Sequence, residues 1–595
     1  MASTPSLSAI WKSCDNRRLI VFAALALLLL IPLAATTAQL HVKVAMRDGV
    51  RLCTNVFPSA ARRAPAVLVR TPYGKPDTLS ANYQAFVDAG FTVVVQDVRG
   101  RYHSQGRFSP PLQERNDGFD TLNWIARQPW SDGKVGMAGG SYQGIAQWHA
   151  ALTQNPHLRA VFPVVAGSDD YFDRFYSPGG AFKPGHRLQW MSENVRAPNY
   201  KPPPFSKFIF HLPLRTADRA ATGHAVEFFQ RALDHPAFDA YWQAISTRLR
   251  IPSLRVPFFL VGGWYDNYVQ SDLEAFTELS RQSPDHKIVI GPWPHNMSYR
   301  FKDVDFGPDS GAPIRRYQLE WFDRWLRGRG PAFDSAPVRI FVMGVNRWRE
   351  ENEWPLARAV PTPFFLESGG NANTLNGDGA LRTRPPRRGG EDEFTYDPRN
   401  PAPTRGGAVC CNPDVFPWGP MDQRPVESRR DVLVFSSEPL RADLEVTGAI
   451  RVILYIATTV RDTDFTAKLV DVYPDGRAIN LTDGILRLRY RKSIERPELA
   501  VPGKVYPITI DAGVTSNVFR AGHRIRVEIS SSNFPRFDRN PNTGKPVAEE
   551  STLRTALQTV FHGPQRPSHV LLPVIPAEPA LTAPSAPRYT ETMAR

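Results

Sequence analysis

The sequence predicts an α/β protein: a mostly parallel sheet covered by helices, an inserted helical cap and a C-terminal β domain. Three observations predict it. Short apolar, β-branched runs alternate with helix-length segments from Leu40 to about Val165, as in strands joined by crossover helices. Between about 169 and 250 the pattern becomes aromatic, helical and broken by prolines (Pro202, Pro203, Pro204), and then the alternation resumes. From about Pro337 short alternating strands separated by turn residues dominate, as in a sandwich or jelly roll.

Each element has its own signal. Ala66–Arg70 and Phe91–Asp97 are apolar runs of strand length, and the helix expected over Asn82–Ala89 between them is closed by Gly90. A second helix is expected over Gly118–Gln128, a short strand over Val135–Gly139 and a helix from Ile145 onward. Phe258–Val261 and Lys287–Ile290 resume the sheet after the cap, and Tyr317–Leu326 reads as an amphipathic closing helix. Strands of the β domain are expected at Val338–Val342, Ile450–Tyr455, Asp464–Val472, Ile485–Tyr490 and His523–Ile529, with an exposed loop over Gly369–Gly390. The expected division is 39–168 with 251–335 for the α/β unit, 169–250 for the cap, 336–575 for a β jelly roll and 576–595 for a Pro-rich tail. A chain of 595 residues, 42% hydrophobic and 22% charged, has ordinary globular material for this number of domains.

Lys12, Arg17 and Arg18 precede an apolar run from Leu19 to Leu33, and Ala34, Ala35, Thr36, Thr37 and Ala38 follow. Charge, apolar run and small residues in that order are those of a secretory signal peptide, and the run is short for a spanning helix. Residues 1–38 are therefore expected to be removed before Gln39, giving a secreted or periplasmic protein. Membrane attachment is expected only if this segment stays uncleaved. The net charge of +14 comes without a basic helix, Arg-Gly repeats or zinc-finger spacing, so the sequence implies a solvated basic surface and no nucleic-acid partner. The four cysteines are too few for a disulfide framework. Adjacent Cys410 and Cys411 read as free thiols, because a ring closed between neighbours strains the peptide.

The chemistry begins at Gly139-Gly140-Ser141-Tyr142-Gln143-Gly144, between an expected strand and an expected helix. A serine on a sharp strand-to-helix turn exposes its hydroxyl, and the helix N-terminus supplies N–H groups for a developing oxyanion. The run departs from G-x-S-x-G: Gln143 holds the position of the last glycine and Gly144 follows. Asp266 and His295 each come directly after a later expected strand, at Gly263-Trp264-Tyr265-Asp266 and Gly291-Pro292-Trp293-Pro294-His295. Ser, Asp and His in this order, on loops at the carboxyl edge of the sheet, are the triad arrangement of an α/β-hydrolase. Ser141 is expected to be the nucleophile, His295 the base and Asp266 its orienting partner.

With these motifs on the page the chain resembles the CocE/NonD hydrolases. The likeness adds Arg70-Thr71-Pro72-Tyr73-Gly74-Lys75, Gln96-Asp97-Val98-Arg99-Gly100 and Gln128-Pro129-Trp130-Ser131-Asp132-Gly133. In the β domain it adds Asp422-Gln423-Arg424-Pro425, Asp462-Thr463-Asp464-Phe465 and Ser532-Asn533-Phe534-Pro535. That family's elbow also reads Gly-x-Ser-Tyr-x-Gly. The resemblance implies a serine hydrolase of carboxylic esters, or of amides, with an oxyanion hole made of the Tyr73 hydroxyl and the Tyr142 N–H. It implies that Tyr268 lines the acyl pocket, and that Cys410 and Cys411 contribute to it as small apolar groups.

The residues leave alternatives open. X-Pro dipeptidyl peptidases and cephalosporin-type acylases resemble the chain too, and an inactive hydrolase scaffold used for binding is the alternative of another class. An α-amino acid ester hydrolase would need carboxylates for the substrate ammonium; no acidic pair follows Asp266, although Asp169-Asp170 lies upstream. The expected partner is a small acyl substrate, a homodimer is left open, and neither a cofactor nor a metal is expected, since His-x-x-x-His and Cys-x-x-Cys spacings are absent.

Overall fold

The computed structural model describes residues 37–329 and 336–576. The expected signal segment up to residue 36 and the tail from residue 577 lie outside the described residues.

Ten strands form the first sheet: β1 (Gln39–Ala45), β2 (Arg51–Phe57), β3 (Ala64–Thr71), β4 (Thr92–Asp97), β5 (Ser131–Gly140), β6 (Leu158–Val164), β7 (Phe259–Tyr265), β8 (Lys287–Pro294), β9 (Val338–Val342) and β10 (Arg347–Glu351). Their order is β1-β2-β4-β3-β5-β6-β7-β8-β9-β10. From β4 through β9 neighbours run parallel, with Leu68 opposite Val94 on one side and Met137 on the other. Central strands of such a sheet are covered on both faces, so they read as unbroken apolar runs; β3 and β4 are buried at every position.

Helices α1 (Ala81–Asp88), α2 (Glu114–Ala126), α3 (Tyr142–Ala151), α5 (Val269–Ser280) and α6 (Ile314–Phe322) belong to this unit, with α4 (Pro184–Asn194) in the cap. On one face Trp148 of α3 stacks on Phe258 with ring centroids 4.3 Å apart. On the other Phe86, Phe91 and Phe322 meet edge to face or tilted. β9 and β10 lie in the stretch from 336 onward that was expected to open the β domain, yet they pair with the first sheet. Ile288 pairs with Val338 and Ile290 with Ile340, so these strands complete the first sheet and the second begins beyond Glu351. An alternating pattern shows that Val338–Val342 is a strand; only its long-range register decides which sheet receives it.

The cap holds a π-helical turn at Asp170–Phe175, α4 and several short helices. Its interior is aromatic: Tyr171, Phe175, Tyr176, Phe182 and Trp242 are buried together. The C-terminal β domain is an eleven-stranded, almost wholly antiparallel sheet. It grips the rest of the chain: the Tyr265 hydroxyl donates to the Asn480 carbonyl at 3.0 Å, and the Gly185 N–H to the Pro535 carbonyl at 2.9 Å.

Cys410 and Cys411, expected as free thiols, require a correction, because they form a disulfide. Both lie in a loop whose ends meet where the Gly407 and Gly419 backbones exchange two hydrogen bonds. Buried Cys53 is the free thiol among the described residues. No helix among them is long and apolar enough to cross a membrane.

Candidate active site

Ser141 stands between β5 and α3 with φ 53° and ψ −126°, a backbone conformation that a non-glycine residue pays to hold. The turn is anchored because the Ser141 N–H donates to the Val164 carbonyl at 2.9 Å. Two glycines make it sterically feasible. Gly139 has φ 134°, and a Cβ there would lie 2.5 Å from the Gln143 Cβ. A Cβ on Gly144 would lie 2.4 Å from the Ala166 Cβ. The close approach of α3 to the strand beside it thus falls on Gly144, and the residue before it, Gln143, is free to carry a side chain.

The structure brings the three residues singled out by order and strand context into one hydrogen-bonded row. His295 Nε2 lies 3.0 Å from Ser141 Oγ, and His295 Nδ1 lies 2.7 Å from Asp266 Oδ2. Asp266 is fully buried at the end of β7, and its Oδ1 accepts the Tyr268 N–H at 3.0 Å. Tyr268 packs edge-on against His295 with centroids 5.7 Å apart. Burial pushes the Tyr268 hydroxyl up to about 12, so it stays neutral.

Tyr73 and Tyr142 flank Ser141 in a cavity of about 40 Å³. Trp190 Nε1 donates to the Tyr73 oxygen at 3.3 Å, which leaves the phenolic proton available. Tyr142 opens α3, where the first N–H groups have no acceptor within the helix. Its own hydroxyl points away and donates to Glu114 Oε1 at 2.9 Å; Glu114 also takes buried Arg70. The Tyr142 ring stacks on Trp190 at 9°.

Of the cavity residues that the sequence did not single out, Pro110, Pro111 and Ile145 come from the α/β unit, and the cap adds Arg174, Phe175, His186, Arg187, Trp190 and Phe228. Their positions on a π-turn and short helices leave no spacing signal. Cys410 and Cys411 do not line this cavity; their sulfurs lie within 4.8 Å of a His186 ring nitrogen, and His186 does line it. Bonded to each other, the sulfurs present no thiolate pair to a metal. The upstream acids are engaged elsewhere: Asp170 pairs with Arg174, and Asp169 accepts the Ser246 hydroxyl and caps the π-turn. Among the described residues no carboxylate lines the cavity.

A parallel sheet carrying a positive-φ serine at its strand-to-helix turn, with Asp and His on later strand ends, defines a serine hydrolase of the α/β-hydrolase class. Residues 48–297 match X-Pro dipeptidyl-peptidase (S15 family), and residues 331–571 match the X-Pro dipeptidyl-peptidase C-terminal non-catalytic domain. The chain belongs to this S15 family. It is 40% identical over 566 residues to a cocaine esterase of a Rhodococcus species, covering 90% of this chain and 98% of that one. Among solved structures, an aminopeptidase from a marine sediment Thaumarchaeota archaeon superposes with a TM-score of 0.79 at 26% identity, covering 96% and 99% of the two chains. An α-amino acid ester hydrolase superposes with a TM-score of 0.78 at 28% identity, covering 91% and 97%.

Proposed function

We propose that the chain hydrolyses carboxylic esters through an acyl-enzyme on Ser141. The carrying observation is the row Ser141 Oγ, His295 Nε2, His295 Nδ1, Asp266 Oδ2, at 3.0 and 2.7 Å. His295 takes the Ser141 proton as the oxygen attacks the acyl carbon, then returns it to the departing alcohol. Asp266 fixes the imidazole tautomer and stabilises the imidazolium. The Tyr73 hydroxyl and the Tyr142 N–H hold the oxyanion. Water enters by the reverse route and releases the acid.

The cavity's charge favours an ester over the N-terminal dipeptides of X-Pro peptidases. Holding a free α-ammonium in a buried site takes an opposing carboxylate, and this cavity offers Arg174 and Arg187 instead. The test is a panel of ethyl and p-nitrophenyl esters beside an Ala-Pro anilide, run on wild type and Ser141→Ala. Ser141-dependent ester turnover with little anilide cleavage supports the reading; preference for the anilide overturns it.

Two finer readings accompany it. The β domain is taken as a jelly roll, in keeping with its long antiparallel ladders. Residues 1–38 are taken as a secretory signal, supported by their charge, apolar run and small-residue order and by the start of β1 at Gln39. A mature N-terminus other than one near Gln39 would count against the second.

A further inference from the structure

One cation in the cavity has no anion of its own. Arg187, on α4, is 7% exposed and lines the same cavity as Ser141. Other buried arginines each meet a carboxylate: Arg70 meets Glu114, Arg174 meets Asp170, Arg487 meets Asp464 and Asp538, and Arg526 meets Glu427. Among the described residues no Asp or Glu comes within 4.0 Å of the Arg187 nitrogens. The groups it touches are uncharged, and its charged neighbours, Arg174 and Lys183, are cations too. The guanidinium lies over the Phe175 ring at 5.3 Å, touches the His186 ring and faces the Tyr268 hydroxyl. Burial holds His186 well below its ordinary value, so that ring is neutral. Arg187 Nε is buried without a hydrogen-bond partner.

A buried, uncompensated charge is expensive, and a guanidinium is matched by a carboxylate in a two-pronged hydrogen bond. Resting on the ester-hydrolase reading, we infer that this site takes monoesters of short dicarboxylic acids, with Arg187 gripping the free carboxylate while Ser141 attacks the ester carbonyl. The chain length follows from space. The cavity is small, about 40 Å³, room for roughly three ordered waters at about 10–15 Å³ each on the same measure, which suits acids of roughly three to five carbons better than an aromatic acyl group. In the reaction the Ser141 Oγ–acyl bond forms as the alkoxy C–O bond breaks, and His295 protonates the leaving alcohol. Water then cleaves the acyl-enzyme, giving the free diacid, which loses a proton at neutral pH.

Two measurements test it. The first follows ethanol release from monoethyl succinate and monoethyl glutarate against ethyl butyrate and ethyl valerate. Wild type is expected to favour the charged member of each pair by about tenfold or more in kcat/KM. In Arg187→Met the ratio is expected to fall to about one or below, and Arg187→Lys to recover part of it. The second does not need turnover: succinate, glutarate, butyrate and valerate are titrated calorimetrically into Ser141→Ala, with and without Arg187→Met. Diacid binding that far exceeds monoacid binding and disappears with Arg187→Met supports the inference. Equal binding, or diacid binding indifferent to Arg187, overturns it. Ser141-dependent turnover of the neutral esters alone would leave the ester-hydrolase reading standing and sink this one. Loss of all Ser141-dependent turnover would sink the broader reading, while the titration still decides whether Arg187 holds a carboxylate.

Discussion

Tyr73→Phe is the most informative single change. It removes one oxygen and keeps the ring that packs edge-on against Trp190 at 6.5 Å. Trp190 Nε1 already donates into that oxygen at 3.3 Å, so the phenolic proton is free for an acceptor in the cavity, where Ser141 also sits. A donor that engages only the developing oxyanion lowers the barrier without tightening the ground state. Its loss costs about 10²–10³ in rate, roughly 3–4 kcal/mol. Steady-state hydrolysis of p-nitrophenyl acetate should therefore show kcat down by that factor with KM changed less than about threefold. The orphaned Trp190 N–H should appear as a small stability loss, on the order of 1 kcal/mol, readable in urea melts. A kcat within threefold of wild type, or an effect confined to KM, would refute the assignment of Tyr73 to the oxyanion.

Gly144→Ala should destabilise the protein by about 1–3 kcal/mol through overpacking, since the new methyl would sit 2.4 Å from the Ala166 Cβ; adding Ala166→Gly should return most of that loss in denaturant melts. His286 is buried with its Nδ1 accepting the Phe258 N–H at 3.2 Å, and burial pushes its pKa down to about 4. The unfolded chain binds that proton below about 6.5 and the folded chain does not, so this share of stability is present above that pH and is lost as pH falls towards 4. His286→Asn should flatten the stability–pH curve between pH 6 and 4.5 by about 1 kcal/mol per pH unit; an unchanged slope would contradict the assignment. Alkylation of denatured mature protein that begins at Gln39 should label one thiol before reduction, Cys53, and three after it, because Cys410 and Cys411 are bonded; three labels without reductant would disprove the bond.

The sheet and the reactive row were legible because their signals are local. An apolar run followed by a turn and a helix marks β5, Ser141 and α3 within about ten residues, and the same reading puts Asp266 and His295 at strand ends. The departure at Gln143 fits the elbow of the resembled family, and its physical reason is the Gly144–Ala166 approach, where α3 meets the end of the neighbouring strand. What the sequence hid depends on long-range packing. Nothing in Pro184–Asn194 shows that Arg187 lacks a carboxylate, since that is a property of everything folded around it. The Cys410–Cys411 bond belongs to a loop whose conformation leaves no local signal, and the membership of β9 in the first sheet depends on its pairing with β8.

The central claim is that Ser141 carries the acyl group. Brief reaction with p-nitrophenyl acetate, acid quenching and peptide mass spectrometry test it directly, with Ser141→Ala beside wild type. An acetyl adduct is expected on the Ser141 peptide of wild type, with turnover lower by several orders of magnitude in Ser141→Ala. Turnover undiminished in Ser141→Ala, or the adduct on another residue, would contradict it.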